Sequence, residues 1–231
     1  MTIEAALFWI ASASVSGFVV AAFFAGYLRL RRNLFLLFYI PLLGLLVLAF
    51  FLWNGINLGN LVVQNWIRGL VVAAAVTAMM VKNVLAQRPT PRRSGSALVM
   101  DILWPGMAYG LVDALLLSVL PVLAVTMALS DAGWASGGSG HVGLGVLALL
   151  ASLVVAGIYH LGFPEFRGPS VLGAMVGNGI MSLAFFVTMN PLAAVLPHVI
   201  MHVAAILHGR ESTYQLPPHY GEAEERGLVD V

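Results

Sequence analysis

The chain has 231 residues, of which 60% are hydrophobic and 9% charged, with a formal net charge of +1. A soluble domain carries roughly a quarter of its residues as Asp, Glu, Lys and Arg, so the composition excludes most water-soluble folds and fits lipid as the solvent. The near-neutral balance argues against a nucleic-acid partner, which demands clustered cations on an exposed face. With no cysteine in the chain, disulfides, thiolate zinc sites and cysteine nucleophiles are excluded, and any metal must be held by His, Asp, Glu, Met or backbone oxygen.

A hydrocarbon core of ~30 Å needs about 20 apolar helical residues, and the hydrophobic segments supply them in order. Residues 5–27 are the first predicted span; Glu4 precedes it where a signal peptide would be basic, so the segment is expected to be retained. Residues 34–53 and 60–84 are the second and third. A polar stretch, 87–96, with Arg88, Arg92, Arg93 and two prolines, is a loop. Within 97–130, Trp104-Pro105-Gly106 is expected to separate an interfacial piece from the fourth span, 107–129. A Gly/Ser-rich loop over 131–140 leads to spans at 142–161, 170–189 and 191–208, the last two joined as a hairpin at Asn190-Pro191. These runs are apolar on both parities, which excludes the alternation of a transmembrane barrel. The predicted fold is all-α: a polytopic bundle of about seven transmembrane helices forming one domain over 1–208, followed by a cytoplasmic tail over 209–231.

With the amino terminus outside, Arg29, Arg31, Arg32, Lys82, Arg88, Arg92, Arg93, Arg167, Arg210 and Arg226 all fall on the inner side, and only Arg68 of the 11 basic residues does not. Such segregation is what the positive-inside rule demands. It predicts a plasma-membrane protein, in bacteria the inner membrane, with the carboxyl terminus in the cytoplasm. Lipid is the expected partner, and the cytoplasmic loops and tail are surfaces on which protein partners could dock.

Ionisable residues inside a span cost at least ~2.5 kcal/mol at the bilayer centre and normally face a partner or cavity. Here they are Arg68, Asp113, His160, His198 and His202, with Gln64, Asn65 and Asn178 as neutral companions. Arg68 shares a predicted helix face with Gln64, and Asp113 follows Tyr109 by one turn; an Arg68–Asp113 ion pair between the third and fourth spans is expected, while proton or ion transfer through Asp113, and an Arg68 that snorkels to the outer interface, stay open. His198 and His202 project two imidazoles from one helix face, the spacing by which a helix supplies two metal ligands, although Val199 stands where a zinc-hydrolase helix carries its glutamate. A pair buried for packing, a metal or haem site and a proton relay all remain open. The loop His160–Pro169 carries two phenylalanines and two prolines around Glu165. If it dips into the bilayer, Glu165 joins His198 and His202 as a site for a divalent metal such as Zn, or for activating water; otherwise Glu165 and Arg167 sit among the headgroups.

The stretch 163–206 resembles the core of the CAAX-protease and bacteriocin-processing family of intramembrane endopeptidases. Phe166-Arg167-Gly168 is similar to the end of that family's Glu-Glu-x-x-x-Arg motif, and Asn190-Pro191 through Pro197-His198 to the approach to its last catalytic helix. With Arg167 aligned, Gly162 and Phe163 stand at the glutamate positions, Asn190 at a histidine and His202 at an asparagine, so His198 alone keeps a catalytic identity. The resemblance implies a degenerate, non-proteolytic relative. Three functions follow: a small intramembrane His/carboxylate site serving transport, binding or assembly; a hydrolase using Glu165, His198 and His202; or a structural subunit. A retinal protein is excluded, because the only lysine, Lys82, lies at a span's inner end.

Overall fold

The computed structural model describes residues 1–131 and 138–209. Among them every regular element is helical. They are α1 (Ile3–Tyr27), α2 (Arg32–Trp53), α3 (Leu58–Val63), α4 (Trp66–Leu85), α5 (Gly95–Ser130), α6 (Gly138–Leu161), α7 (Ser170–Thr188) and α8 (Leu192–His208). All except α3 and α8 are long and apolar enough to cross a membrane, and α8 is apolar over 17 residues. The tail predicted beyond Gly209 and residues 132–137 of the predicted loop lie outside the described residues; the remainder of that loop is helical, α6 starting at Gly138.

Helix α5 is the centre of the bundle: 83% of its most apolar stretch is buried, against 28–39% in the other five long helices. Those helices bury one stripe and expose large apolar side chains on the other, among them Leu45 and Leu52 on α2, Val71 on α4, Leu150 on α6 and Val187 on α7. Such surfaces are costly in water and ordinary against acyl chains. Around α5, α1 packs on α5 and α6, α6 on α7, and α8 on both α4 and α5.

Two local expectations are corrected. The break at Trp104-Pro105-Gly106 does not occur. Residues Ile102–Ala108 widen into a π-helical turn, which takes in the Pro105 ring without ending the helix, as neighbouring packing permits in membrane helices. Conversely, the span read over 60–84 is interrupted. Helix α3 ends at Val63, Gln64 is extended, Asn65 is left-handed with φ 55°, and α4 begins at Trp66. Gln64 and Arg68 therefore do not share one helix.

A residue far away in sequence holds the interruption. Asn190, fully buried in the turn between α7 and α8, donates from Nδ2 toward the carbonyls of Leu61 (3.3 Å), Val62 (2.7 Å) and Gln64 (2.6 Å). Its Oδ1 accepts from the Leu192 amide at 3.0 Å, capping the start of α8. Gly69 makes room for it, since a Cβ there would stand 2.6 Å from Asn190 Oδ1.

Candidate metal centre

The stretch Tyr109–Ala114 is regular α-helix between two π-helical turns, Ile102–Ala108 and Leu115–Val119. Tyr109 and Asp113, four residues apart, therefore share a face. Helix α8 brings His198 and His202 by the same spacing. Small residues let the two backbones meet: a Cβ on Gly110 would lie 3.1 Å from Val199 Cα and 3.3 Å from His202 Cδ2, and one on Gly106 would lie 3.1 Å from both Val203 Cγ2 and Ile206 Cδ1. Gly106 and Gly110 form the four-residue small-residue spacing that favours close helix packing in lipid.

Asp113, His198 and His202 are 2%, 4% and 3% exposed. The Tyr39 hydroxyl on α2 donates to Asp113 Oδ1 at 2.6 Å, and His198 Nε2 lies 2.9 Å from Asp113 Oδ2. The two imidazoles stack with centroids 5.1 Å apart, and the Tyr109 ring stands edge-on to His202 at 5.0 Å. Tyr109 and Tyr159 share a hydroxyl–hydroxyl bond of 2.9 Å, and Tyr39 packs against both rings. Three nitrogens are left over: His198 Nδ1, His202 Nδ1 and His202 Nε2 are buried without a hydrogen-bond partner.

Ligand atoms of Asp113, His198 and His202 lie within 4.8 Å of one another, close enough that the three could hold a metal ion. Whichever nitrogen of a neutral His202 ring carries the hydrogen, the other presents a bare lone pair. One carboxylate and two imidazoles suit Zn²⁺ or Fe²⁺.

The sequence-derived pairings change accordingly. Arg68 does not pair with Asp113: it is exposed near the start of α4, whereas Asp113 is occupied by Tyr39 and His198. Glu165 does not join the histidines. It is exposed in the short turn Pro164–Phe166, and the residue that turns inward is Phe163, packed against Phe35 and Tyr159. Asp113 takes the carboxylate's place in the group. His160 serves packing, with Nδ1 2.7 Å from the Ala156 carbonyl of its own helix and its ring against Phe166. Asn178 stands outside the centre, in a network joining α5, α6 and α7: its Oδ1 accepts from Ser118 and its Nδ2 donates to Ser152, both at 2.9 Å.

Tyr39 and Tyr159 belong to the surroundings of the centre and escaped the sequence reading, because tyrosine in an apolar run passes for an ordinary hydrophobic residue. The Gly106–Gly110 spacing was the available signal that α5 packs closely on another helix. No family model matches the chain, and no curated protein or solved structure matches it.

Proposed function

We propose that the protein is a seven-span plasma-membrane metalloprotein, amino terminus outside and carboxyl terminus inside, which binds a divalent transition metal through Asp113, His198 and His202. Of transport, binding and assembly, the roles open to such a bundle, this is binding. The observation that carries it is His202: both ring nitrogens are buried and unpartnered beside a carboxylate. An unsatisfied buried polar group costs ~1–3 kcal/mol, and a bound cation turns that cost into coordination at the nitrogen that carries the lone pair. Hydrolysis through Glu165 lacks support, since that residue lies outside the group. The likeness to the CAAX-protease core enters this reading through His198 alone.

Elemental analysis of detergent-purified protein is expected to find close to one equivalent of Zn or Fe per chain, lost in both His198→Ala and His202→Ala. Metal absent from the wild type, even after reconstitution, or retained in both variants, rejects the centre. The orientation is tested separately, helped by a chain without cysteine. In intact cells a membrane-impermeant maleimide should label Ser139→Cys, at the start of α6, and spare Ser94→Cys, just before α5. The reverse pattern overturns the topology.

A further inference from the structure

We propose that the metal centre keeps one coordination position open for a small anionic donor ligand, and that Tyr39 is the positioning residue that keeps it open. The inference rests on the metal reading above and asks what kind of centre it is.

Among the described residues, the group that can hold the ion contains one Asp and two His and no fourth His, Cys, Asp or Glu. The number of donor atoms then depends on Asp113. A free carboxylate can chelate through both oxygens, but the Tyr39 hydroxyl, donating to Asp113 Oδ1 at 2.6 Å, uses one of that oxygen's lone pairs and favours ligation through the other oxygen. Oδ2 lies 2.9 Å from His198 Nε2; with the His198 hydrogen on Nδ1 that hydrogen bond gives way and both atoms can turn to the ion, so Oδ2 is the carboxylate's ligand atom. One carboxylate oxygen and one nitrogen from each histidine make three donors. Structural zinc sites are closed by four protein ligands, whereas three leave a position for water or substrate.

Tyr39 is itself fixed. It is fully buried, packed on Phe35 at a centroid distance of 5.4 Å and wedged against Tyr109 and Tyr159. The hydroxyls of those two tyrosines bond to each other. Phenol hydroxyls are poor ligands beside imidazole and carboxylate, but suitable hydrogen-bond donors to an anion on the metal. An outer-shell hydrogen bond of the Tyr39 type fixes how its carboxylate meets the ion, and its loss commonly changes metal affinity ~10–100-fold.

The test uses full-length protein in detergent loaded with Co²⁺, whose visible spectrum reports coordination number, and titrates it with azide. Wild type is expected to show the intense bands of a four-coordinate ion and a saturable spectral change with azide. In Tyr39→Phe, read at saturating cobalt, Oδ1 is released to chelate and the azide affinity should fall at least ~10-fold. A wild-type cobalt spectrum that does not respond to azide overturns the open position. An unchanged azide affinity in Tyr39→Phe overturns the role of Tyr39. Failure of wild type to bind cobalt overturns the metal centre itself, so the two readings fail differently. The wild-type titration requires no variant and decides the open position even if Tyr39→Phe does not fold.

Discussion

Asp113→Asn is expected to abolish metal binding at the proposed centre and leave the helix bundle folded. The substitution keeps the shape of the side chain, and an amide oxygen can still accept from Tyr39. What it removes is a unit negative charge beside the ion. At an effective dielectric of ~20, two unit charges 4 Å apart interact by ~4 kcal/mol; a divalent ion doubles this, and part is returned because the carboxylate no longer has to be buried. A residual loss of several kcal/mol corresponds to at least a ~1,000-fold weaker affinity, at ~1.4 kcal/mol per decade. Folding has less at stake. Interhelical hydrogen bonds in membranes average ~0.6 kcal/mol and reach ~1.7, so perturbing the two contacts of Asp113, with Tyr39 and with His198, changes unfolding by no more than ~3.4 kcal/mol. Zinc affinity by competition with a chromophoric chelator, beside reversible unfolding in mixed micelles, separates the two effects. If Asp113→Asn protein holds zinc within tenfold of wild type, Asp113 is removed from the ligand set.

The difference between the predicted and observed partners of Asp113 shows what a sequence conveys about a membrane site. A charged residue in an apolar run is conspicuous, and so is a pair of histidines one turn apart. Both are therefore legible as individual features. Their meeting depends on which helices touch, and proximity along the chain pointed to Arg68. The actual contact joins α5 to α8, 85 residues apart between Asp113 and His198, through the small-residue face of Gly106 and Gly110. Glu165 failed for a more local reason. In the turn after α6 the apolar Phe163 goes inward and the acid stays exposed, the cheaper arrangement because a carboxylate is costly to desolvate.

Hydropathy located the helices because the requirement it measures, about 20 apolar residues per crossing, is local. The interruptions are not local. Pro105 carries the usual signal for a break, yet packing around α5 and the π-helical turn at Ile102–Ala108 absorb it. Gln64-Asn65 carries little signal, yet the helix breaks there because Asn190 accepts the task of satisfying the freed carbonyls. Residue propensity ranks what a backbone does alone; in lipid the decisive question is whether another part of the chain supplies the missing partner.

That dependence makes Asn190 and Gly69 a sensitive pair away from the proposed metal centre. Asn190→Ala should lower stability by about 2–4 kcal/mol: the carbonyls of Leu61, Val62 and Gln64 lose their common donor, and the ~1–3 kcal/mol that each would cost if fully buried is reduced because Leu61 and Val62 are half-buried and Gln64 is exposed. Gly69→Ala should cost ~1–3 kcal/mol through overpacking, since its new methyl meets Asn190 Oδ1 at 2.6 Å and Cγ at 2.7 Å. Combined, the two changes should not add. With Asn190 shortened to alanine, both of those atoms are gone; the Cβ at 190 stays, 3.0 Å from the new methyl, a close contact that the ~1 kcal/mol by which alanine exceeds glycine inside a helix offsets in part. Gly69→Ala is then expected to cost at least ~1 kcal/mol less in the Asn190→Ala background than in the wild type, a coupling that a double-mutant cycle of unfolding free energies reads directly. Additivity within ~0.5 kcal/mol is the behaviour of independent sites, and finding it would mean that the glycine is not there to admit the asparagine.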